Sequence, residues 1–327
     1  MAAVSSEKID LIIYGPTKKI VDNGFPDQFV LHHFETTHDL ERLTPDVAAR
    51  ARGMAVTYNT VRGDAKTLGR FPKLEIVAAF GVGYDHVDAG YARDPNIMVT
   101  NTPDVLTEEV ADIAMGLLIA TLREFVKADR YLRAGQWQTA QFPLSPGSLR
   151  DRTVGIVGMG RIGQAIARRI EASKVPVVYH TRNPVAGLSY KHYPDLITMA
   201  KDVDTLIVIV PGGAGTAKMI NAEVMKALGP RGVIINVARG TVVDEQALVE
   251  ALRSGTILAA GLDVFEREPN VPDELKAMQN VVLLPHIGSA SVVTRNAMDQ
   301  LVVDNLKAWF AGKLPLTPVS ETPAKAR

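Results

Sequence analysis

Short apolar runs recur through the first hundred residues, at Leu11–Tyr14, Phe29–His32, Met54–Thr57, Ile76–Phe80 and Ile97–Thr100, with polar stretches between them. Runs of this length bounded by turn residues predict strands. The intervening stretches, such as Thr44–Ala51, predict helices or loops, and the βαβ rhythm predicts a small parallel sheet. Asn101-Thr102-Pro103 breaks the pattern and marks a crossing between domains. Beyond it, Thr107–Ala134 reads as one long helix, with Thr107 as N-cap, Glu108 and Glu109 in the first turn and Gly135 at the C′ position. Its apolar residues, among them Val110, Ile113, Ala114, Leu117, Leu118 and Leu122, exceed one face. Such a helix is expected to be buried on two sides, the second against another subunit. Gly135–Leu149, with Trp137, Phe142, Pro143 and Pro146, predicts a loop that runs over the surface or reaches a neighbouring chain.

The stretch Val154–Gly163, V-G-I-V-G-M-G-R-I-G, organises the rest. An apolar strand runs directly into Gly158, Gly160 and Gly163, and the pattern continues as a helix through Ala165, Ile166, Ala167 and Ile170. Between a strand and a helix, G-x-G-x-x-G has a mechanical reading. The first glycine permits the tight turn, the second lets a pyrophosphate approach the backbone, and the third lets helix and strand pack closely. The helix N-terminus adds free N–H groups and the positive dipole end. Five further apolar runs follow, at Val177–His180, Thr205–Val210, Val233–Asn236, Ala259–Leu262 and Val281–Leu284. Most are near-continuously apolar, as parallel strands buried on both faces are. Asp244–Ser254 is expected as a helix begun by Asp244 and stopped by Gly255, and Ala290–Ala311 as a last long helix ended by Gly312.

A chain of 327 residues fits about two domains. Lys and Arg together equal Asp and Glu, so nothing favours a nucleic acid partner. There is no cysteine, which excludes disulfides, thiolate metal sites and cysteine nucleophiles. No histidine–carboxylate cluster has metal-ligand spacing. No apolar run reaches membrane-span length, and Met1–Asp10 lacks the apolar core of a signal peptide. A cytoplasmic protein without a membrane partner is expected.

Candidate chemistry gathers at predicted strand ends. Gly81-Val82-Gly83-Tyr84-Asp85 follows the fourth strand; its glycines can present a concave set of N–H groups to a carboxylate, or simply make a turn. A dinucleotide site usually carries an acid about twenty residues past the glycines, for the ribose 2′-hydroxyl. Here that place reads Tyr179-His180-Thr181-Arg182-Asn183, with no Asp or Glu. Arg182 brings a cation, and Thr181 and Asn183 bring hydrogen-bonding groups, a set that suits a 2′-phosphate. NADP(H) is therefore expected as the preferred cofactor and NAD(H) as a weaker one. Of seven histidines, His286 stands out in Leu284-Pro285-His286-Ile287-Gly288, past the last buried strand. Open α/β sheets bind ligands at that edge, where a histidine can protonate a substrate oxygen. The other histidines, His192 in a polar loop among them, read as structural or surface residues. Arg239 follows one neighbouring strand and Asp263 and Glu268 another. An arginine can hold a 2-oxo acid, and a carboxylate beside histidine fixes its tautomer and favours its protonated form.

The segments G-M-G-R-I-G, N-V-A-R-G, G-L-D-V-F-E-R-E-P and L-L-P-H-I-G-S-A, in this order, together with G-V-G-Y-D, resemble the D-isomer-specific 2-hydroxyacid dehydrogenase family. The resemblance covers nearly the whole chain. It implies an α/β fold of two doubly wound parallel-sheet domains, Rossmann-like and flavodoxin-like. A cofactor domain of about 102–289 would be inserted in a discontinuous substrate (lid) domain of 1–101 and 290–327, and the family is usually dimeric through the inserted domain. It further implies Arg239, Glu268 and His286 as catalytic, and Val82 and Gly83 as amides for the substrate carboxylate. Asp263 and Thr107 would be cofactor contacts, as would Met159, Arg161 and Ile162 in the glycine turn, Val210, Pro211 and Thr216, Val237 and Ala238, and Gly288. Tyr58 and Asn59, and Trp137 from a second subunit, are expected to line the substrate pocket. Thr181-Arg182-Asn183 and the loop Pro211–Thr216 resemble the NADPH-dependent glyoxylate/hydroxypyruvate reductase branch, whose substrates are small 2-oxo acids. The alternatives are reduction of a larger aryl-pyruvate by the same mechanism, or a non-catalytic dinucleotide sensor or corepressor on this fold.

Overall fold

A computed structural model describes residues 8–16, 18–58 and 60–322, so Asn59 lies outside the described residues. The chain forms two compact units. One comprises the residues up to Leu106 with those from Ser291 onward, and the other is Thr107–Ala290.

The first unit holds a five-stranded sheet of β1 (Ile9–Tyr14), β2 (Phe29–Phe34), β3 (Gly53–Val56), β4 (Ile76–Ala79) and β5 (Met98–Thr100). The order is β2-β1-β3-β4-β5 and every pairing is parallel. This is the flavodoxin-like doubly wound order. β1, β3, β4 and β5 are buried along their whole length, the mostly apolar strands carrying Asp10 of β1 and Thr100 of β5 into the interior with them. The helix Val292–Phe310 returns from the far end of the chain to this unit, capped by the Ser291 hydroxyl accepting from Thr294 N–H. Its Trp309 Nε1 donates to Glu75 Oε2 at 3.1 Å, and beyond the helix Val319 N–H donates to Val99 O of the edge strand β5 at 3.0 Å.

The second unit holds β6 (Val154–Val157), β7 (Val177–His180), β8 (Lys191–Tyr193), β9 (Thr205–Val208), β10 (Val233–Asn236), β11 (Ala259–Leu262) and β12 (Val281–Leu283). The order is β12-β11-β10-β9-β6-β7-β8, again parallel throughout. Counted from β6, this is the Rossmann order with one strand added, and its reversal falls between β6 and β9. Because all seven strands run the same way, their carboxyl ends lie along one edge. One face is packed by a cluster that includes Met199, Leu206, Val208, Met225, Ile234, Leu248 and Leu262.

The expected fold class is therefore present, with two local differences. The stretch expected as one helix, Thr107–Ala134, is two, Thr107–Leu122 and Phe125–Arg133. Glu124 takes a left-handed φ of 52° between them and breaks the hydrogen-bond ladder, although no Gly or Pro marks the site. His192, read as part of a polar loop, lies in β8 opposite Tyr179. β8 is an edge strand of sequence Lys-His-Tyr, too short and too polar to show an apolar run. No helix of the described residues is long and apolar enough to cross a membrane.

Candidate active site

The glycine turn after β6 separates into two mechanical roles. Gly158 has φ 104°, and a Cβ there would meet Ile209 O at 2.7 Å. A Cβ on Gly163 would lie 2.1 Å from Gly158 O. The fold itself demands both glycines. A Cβ on Gly160 would meet nothing within 4 Å among the described residues, so close packing does not require that glycine. Gly160 is also the N-cap of the helix Arg161–Ala172 and caps it with no side chain. An open approach to uncapped N–H groups is what a pyrophosphate needs. After β7, the Thr181 hydroxyl donates to Asn183 O at 2.6 Å and braces the turn, while Arg182 and Asn183 are exposed. After β9, Thr216 closes the next loop by donating to Pro211 O at 2.6 Å.

Three adjacent strand ends assemble the charged group. Asn236, buried at the end of β10, accepts from Ala238 N–H and donates to Arg239 O, both at 3.1 Å. Gly240 then lies so close to the next loop that a Cβ would be 1.8 Å from the carbonyl carbon of Phe265. The loop bearing Arg239 is thus pressed directly on the loop bearing Glu268. After β11, Asp263 is 2% exposed. Its carboxylate accepts from Ile287 N–H and Gly288 N–H, both at 2.7 Å, and its carbonyl accepts from His286 N–H at 2.9 Å. Burial raises its pKa, against the pull of those two hydrogen bonds and of His286. Asp263 therefore grips the segment that carries His286, whose left-handed φ of 55° needs such support.

His286 Nδ1 meets Glu268 Oε2 at 2.6 Å, both side chains about a quarter exposed. The other Glu268 oxygen accepts from Phe265 N–H at 3.1 Å. Burial alone would raise the Glu268 pKa. The hydrogen bond and charge of His286, the Phe265 amide and the charge of Arg239 together bring it below its ordinary value. The carboxylate is ionised at neutral pH and holds the imidazole by one nitrogen.

In the first unit, Gly81 has φ 127° and its carbonyl accepts from Thr102 N–H at 2.9 Å. The Val82 carbonyl accepts from Asn101 Nδ2 at 2.8 Å, so the turn is fixed from both carbonyls. Tyr58 is half-buried, with the Arg295 guanidinium 6.0 Å from its ring centroid. Trp137, in the second unit, lies in the single turn Gln136–Gln138 and is 60% exposed.

The model of the D-isomer-specific 2-hydroxyacid dehydrogenase NAD-binding domain matches residues 115–288. Glyoxylate/hydroxypyruvate reductase A of Arabidopsis thaliana is 45% identical over 314 residues, covering 96% of this chain and 99% of that protein. This chain belongs to the D-isomer-specific 2-hydroxyacid dehydrogenases. Hydroxyphenylpyruvate reductase of Plectranthus scutellarioides is 42% identical over 96% of the chain and 99% of its own. Among solved structures, the NADPH-dependent glyoxylate/hydroxypyruvate reductase of Sinorhizobium meliloti, in complex with NADP and malonate, has a TM-score of 0.94. It is 55% identical and covers 98% of this chain and 99% of its own.

Within this dehydrogenase, the structure brings together Arg239, Asp263, Glu268 and His286 on neighbouring strand ends. It places the glycine turn, the Thr181–Asn183 turn and the Pro211–Thr216 loop along the same sheet edge. Tyr58, Val82 and Gly83 belong to the other unit. Sequence reasoning missed the bracing role of Asn236 and the close approach at Gly240. A polar residue ending the apolar run V-I-I-N was the one available signal for the first. The grip of Asp263 on two backbone amides leaves no trace in residue types.

Proposed function

We propose that the enzyme reduces a small 2-oxo acid, of the glyoxylate or hydroxypyruvate kind, to the D-2-hydroxy acid with NADPH as reductant. The observation that carries this reading is the His286–Glu268 pair at 2.6 Å, at the carboxyl edge of a sheet whose first loop is an open glycine turn. The relatives named for glyoxylate and hydroxypyruvate reduction support the substrate class, and the NADP-bound Sinorhizobium meliloti reductase supports the cofactor. The residues present fit that cofactor. The Gly160 approach is clear for a pyrophosphate, and no carboxylate stands at Thr181–Asn183 to repel a 2′-phosphate beside Arg182.

Bound NADPH supplies the hydride that adds to substrate C2. Glu268 occupies Nδ1 of His286, so Nε2 is the nitrogen left to hold a proton for the substrate carbonyl oxygen. As the C=O electron pair moves onto oxygen, that proton completes the hydroxyl. Arg239 orients the 2-oxo acid and offsets the charge developing on the oxygen. The amides of Val82 and Gly83 donate to the substrate carboxylate, and Tyr58 and Trp137 limit the substrate's far end. Thr107, Val237, Ala238, Asp263 and Gly288 complete the cofactor's surroundings, and the working form is a homodimer in the cytoplasm.

Initial rates over a panel running from glyoxylate to aryl-pyruvates, with NADPH and with NADH, test the reading. The highest kcat/KM is expected for glyoxylate or hydroxypyruvate with NADPH. A clear NADH preference would remove the 2′-phosphate assignment. An aryl-pyruvate ranked first would place the substrate with that of the Plectranthus scutellarioides relative.

A further inference from the structure

We infer that His192 is a positioning residue for the cofactor's 2′-phosphate: from the edge strand β8 it holds the backbone of the turn that presents Arg182 and Asn183. This rests on the reading of Thr181–Asn183 as the 2′-phosphate site. The turn carries its recognition groups on exposed side chains, so something must fix the backbone beneath them. Three contacts do. His192 Nε2 lies 2.9 Å from Thr181 O. The Thr181 hydroxyl donates to Asn183 O at 2.6 Å. The Tyr179 hydroxyl accepts from Val185 N–H at 3.0 Å.

These contacts form one unit. β7 and β8 pair Tyr179 directly with His192. Their rings pack at 5.1 Å between centroids with a 49° tilt, so the imidazole plane is set by the tyrosine that also ties down Val185. A carbonyl oxygen only accepts, so His192 Nε2 carries a hydrogen and donates. The neighbouring His180 is engaged elsewhere, its Nδ1 2.9 Å from Tyr193 O. Every one of these bonds ends on backbone or on the Thr181 hydroxyl, and none uses the side chain of Arg182 or Asn183. The arrangement orders a cationic turn before the ligand arrives, which reduces the ordering cost of binding a phosphate.

The probes are 2′,5′-ADP and 5′-AMP, which differ by the 2′-phosphate alone, titrated into the full-length protein by calorimetry. His192→Ala should weaken 2′,5′-ADP about three- to tenfold, the factor carried by one net hydrogen bond, and leave 5′-AMP within about twofold. His192→Gln should restore the preference, because its amide nitrogen reaches the place of Nε2. In the unmodified protein, nitrogen NMR of labelled histidine should show His192 with a hydrogen on Nε2. Equal loss for both probes, failure of the glutamine variant to restore selectivity, or an Nε2 without hydrogen would each overturn the inference. If the unmodified protein binds 2′,5′-ADP no better than 5′-AMP, it is the 2′-phosphate reading itself that fails. If it prefers 2′,5′-ADP and His192→Ala keeps that preference, the role of His192 alone is lost.

Discussion

A single imidazole nitrogen decides the chemistry proposed for this enzyme. With Nδ1 committed to Glu268 at 2.6 Å, His286 has one nitrogen left for substrate. His286→Ala should therefore lower turnover by several orders of magnitude while NADPH, titrated by its fluorescence, binds with nearly unchanged affinity. Near-normal turnover in that variant would exclude His286 as the acid. Glu268 gives a second prediction, with a sign fixed by its depressed pKa. A carboxyl whose folded pKa is lowered contributes stability that is fully present above the unfolded value of about 4.3 and is lost as pH falls through the folded value. Glu268→Gln should lower the unfolding midpoint at neutral pH, and the gap to the unmodified enzyme should close as pH drops below the folded pKa. The same variant should lose about ten- to a hundredfold in turnover, the scale of a hydrogen bond to a charged group. A gap in midpoint that held constant into strong acid would show that the carboxylate's ionisation is not what the fold uses.

At the scale of elements, the glycine turn separates what folding needs from what binding needs. Gly163→Ala puts a methyl 2.1 Å from Gly158 O, and backbone on both sides cannot yield easily. That variant should lose about 1–3 kcal/mol of stability in urea denaturation. Gly160→Ala adds a methyl to open space and loses only the N-cap preference of glycine over alanine, so its stability should fall by no more than about 1 kcal/mol while dinucleotide affinity falls. If Gly160→Ala bound NADPH normally, a phosphate would not pass close to that backbone. The two sheets were legible in the sequence because strands buried on both faces leave near-continuous apolar runs, as β3, β4, β6 and β9–β11 do apart from Thr205 and Asn236 at their ends. β8 was not, since an edge strand of Lys191-His192-Tyr193 has no such run. Nor was the break at Glu124, where a left-handed residue interrupts two helices without Gly or Pro. Side chains at strand ends could be read as candidates because a parallel sheet puts all its carboxyl ends on one edge. The 2.6 Å pairing across eighteen residues depends on Gly240 and Asp263 packing loops together, and that packing involves backbone groups which every residue shares.

For the whole molecule, the remaining question is how many chains work together. Balanced charge gives no repulsion to keep copies apart, and the second unit exposes apolar side chains on neighbouring segments: Phe125 at 54%, Leu132 at 56%, Trp137 at 60% and Leu144 at 96%. The helix Phe125–Arg133 buries none of its residues. Scattered apolar residues are ordinary on a surface, but an amphipathic helix covered only in part, where Tyr131 packs on Phe142, and followed at once by an exposed tryptophan, is the kind of patch that a partner subunit covers. We propose that two copies associate through this segment. Sedimentation velocity should then give twice the chain mass of 35.4 kDa. Phe125→Asp with Leu132→Asp should give the single-chain mass with an unchanged far-ultraviolet spectrum, because both side chains are exposed in the isolated chain and their loss removes no core contact. The comparison also bears on Trp137. If it limits the substrate of a neighbouring chain, the monomeric variant should discriminate less between glyoxylate and aryl-pyruvates. Unmodified enzyme that sediments at the single-chain mass would remove both expectations together.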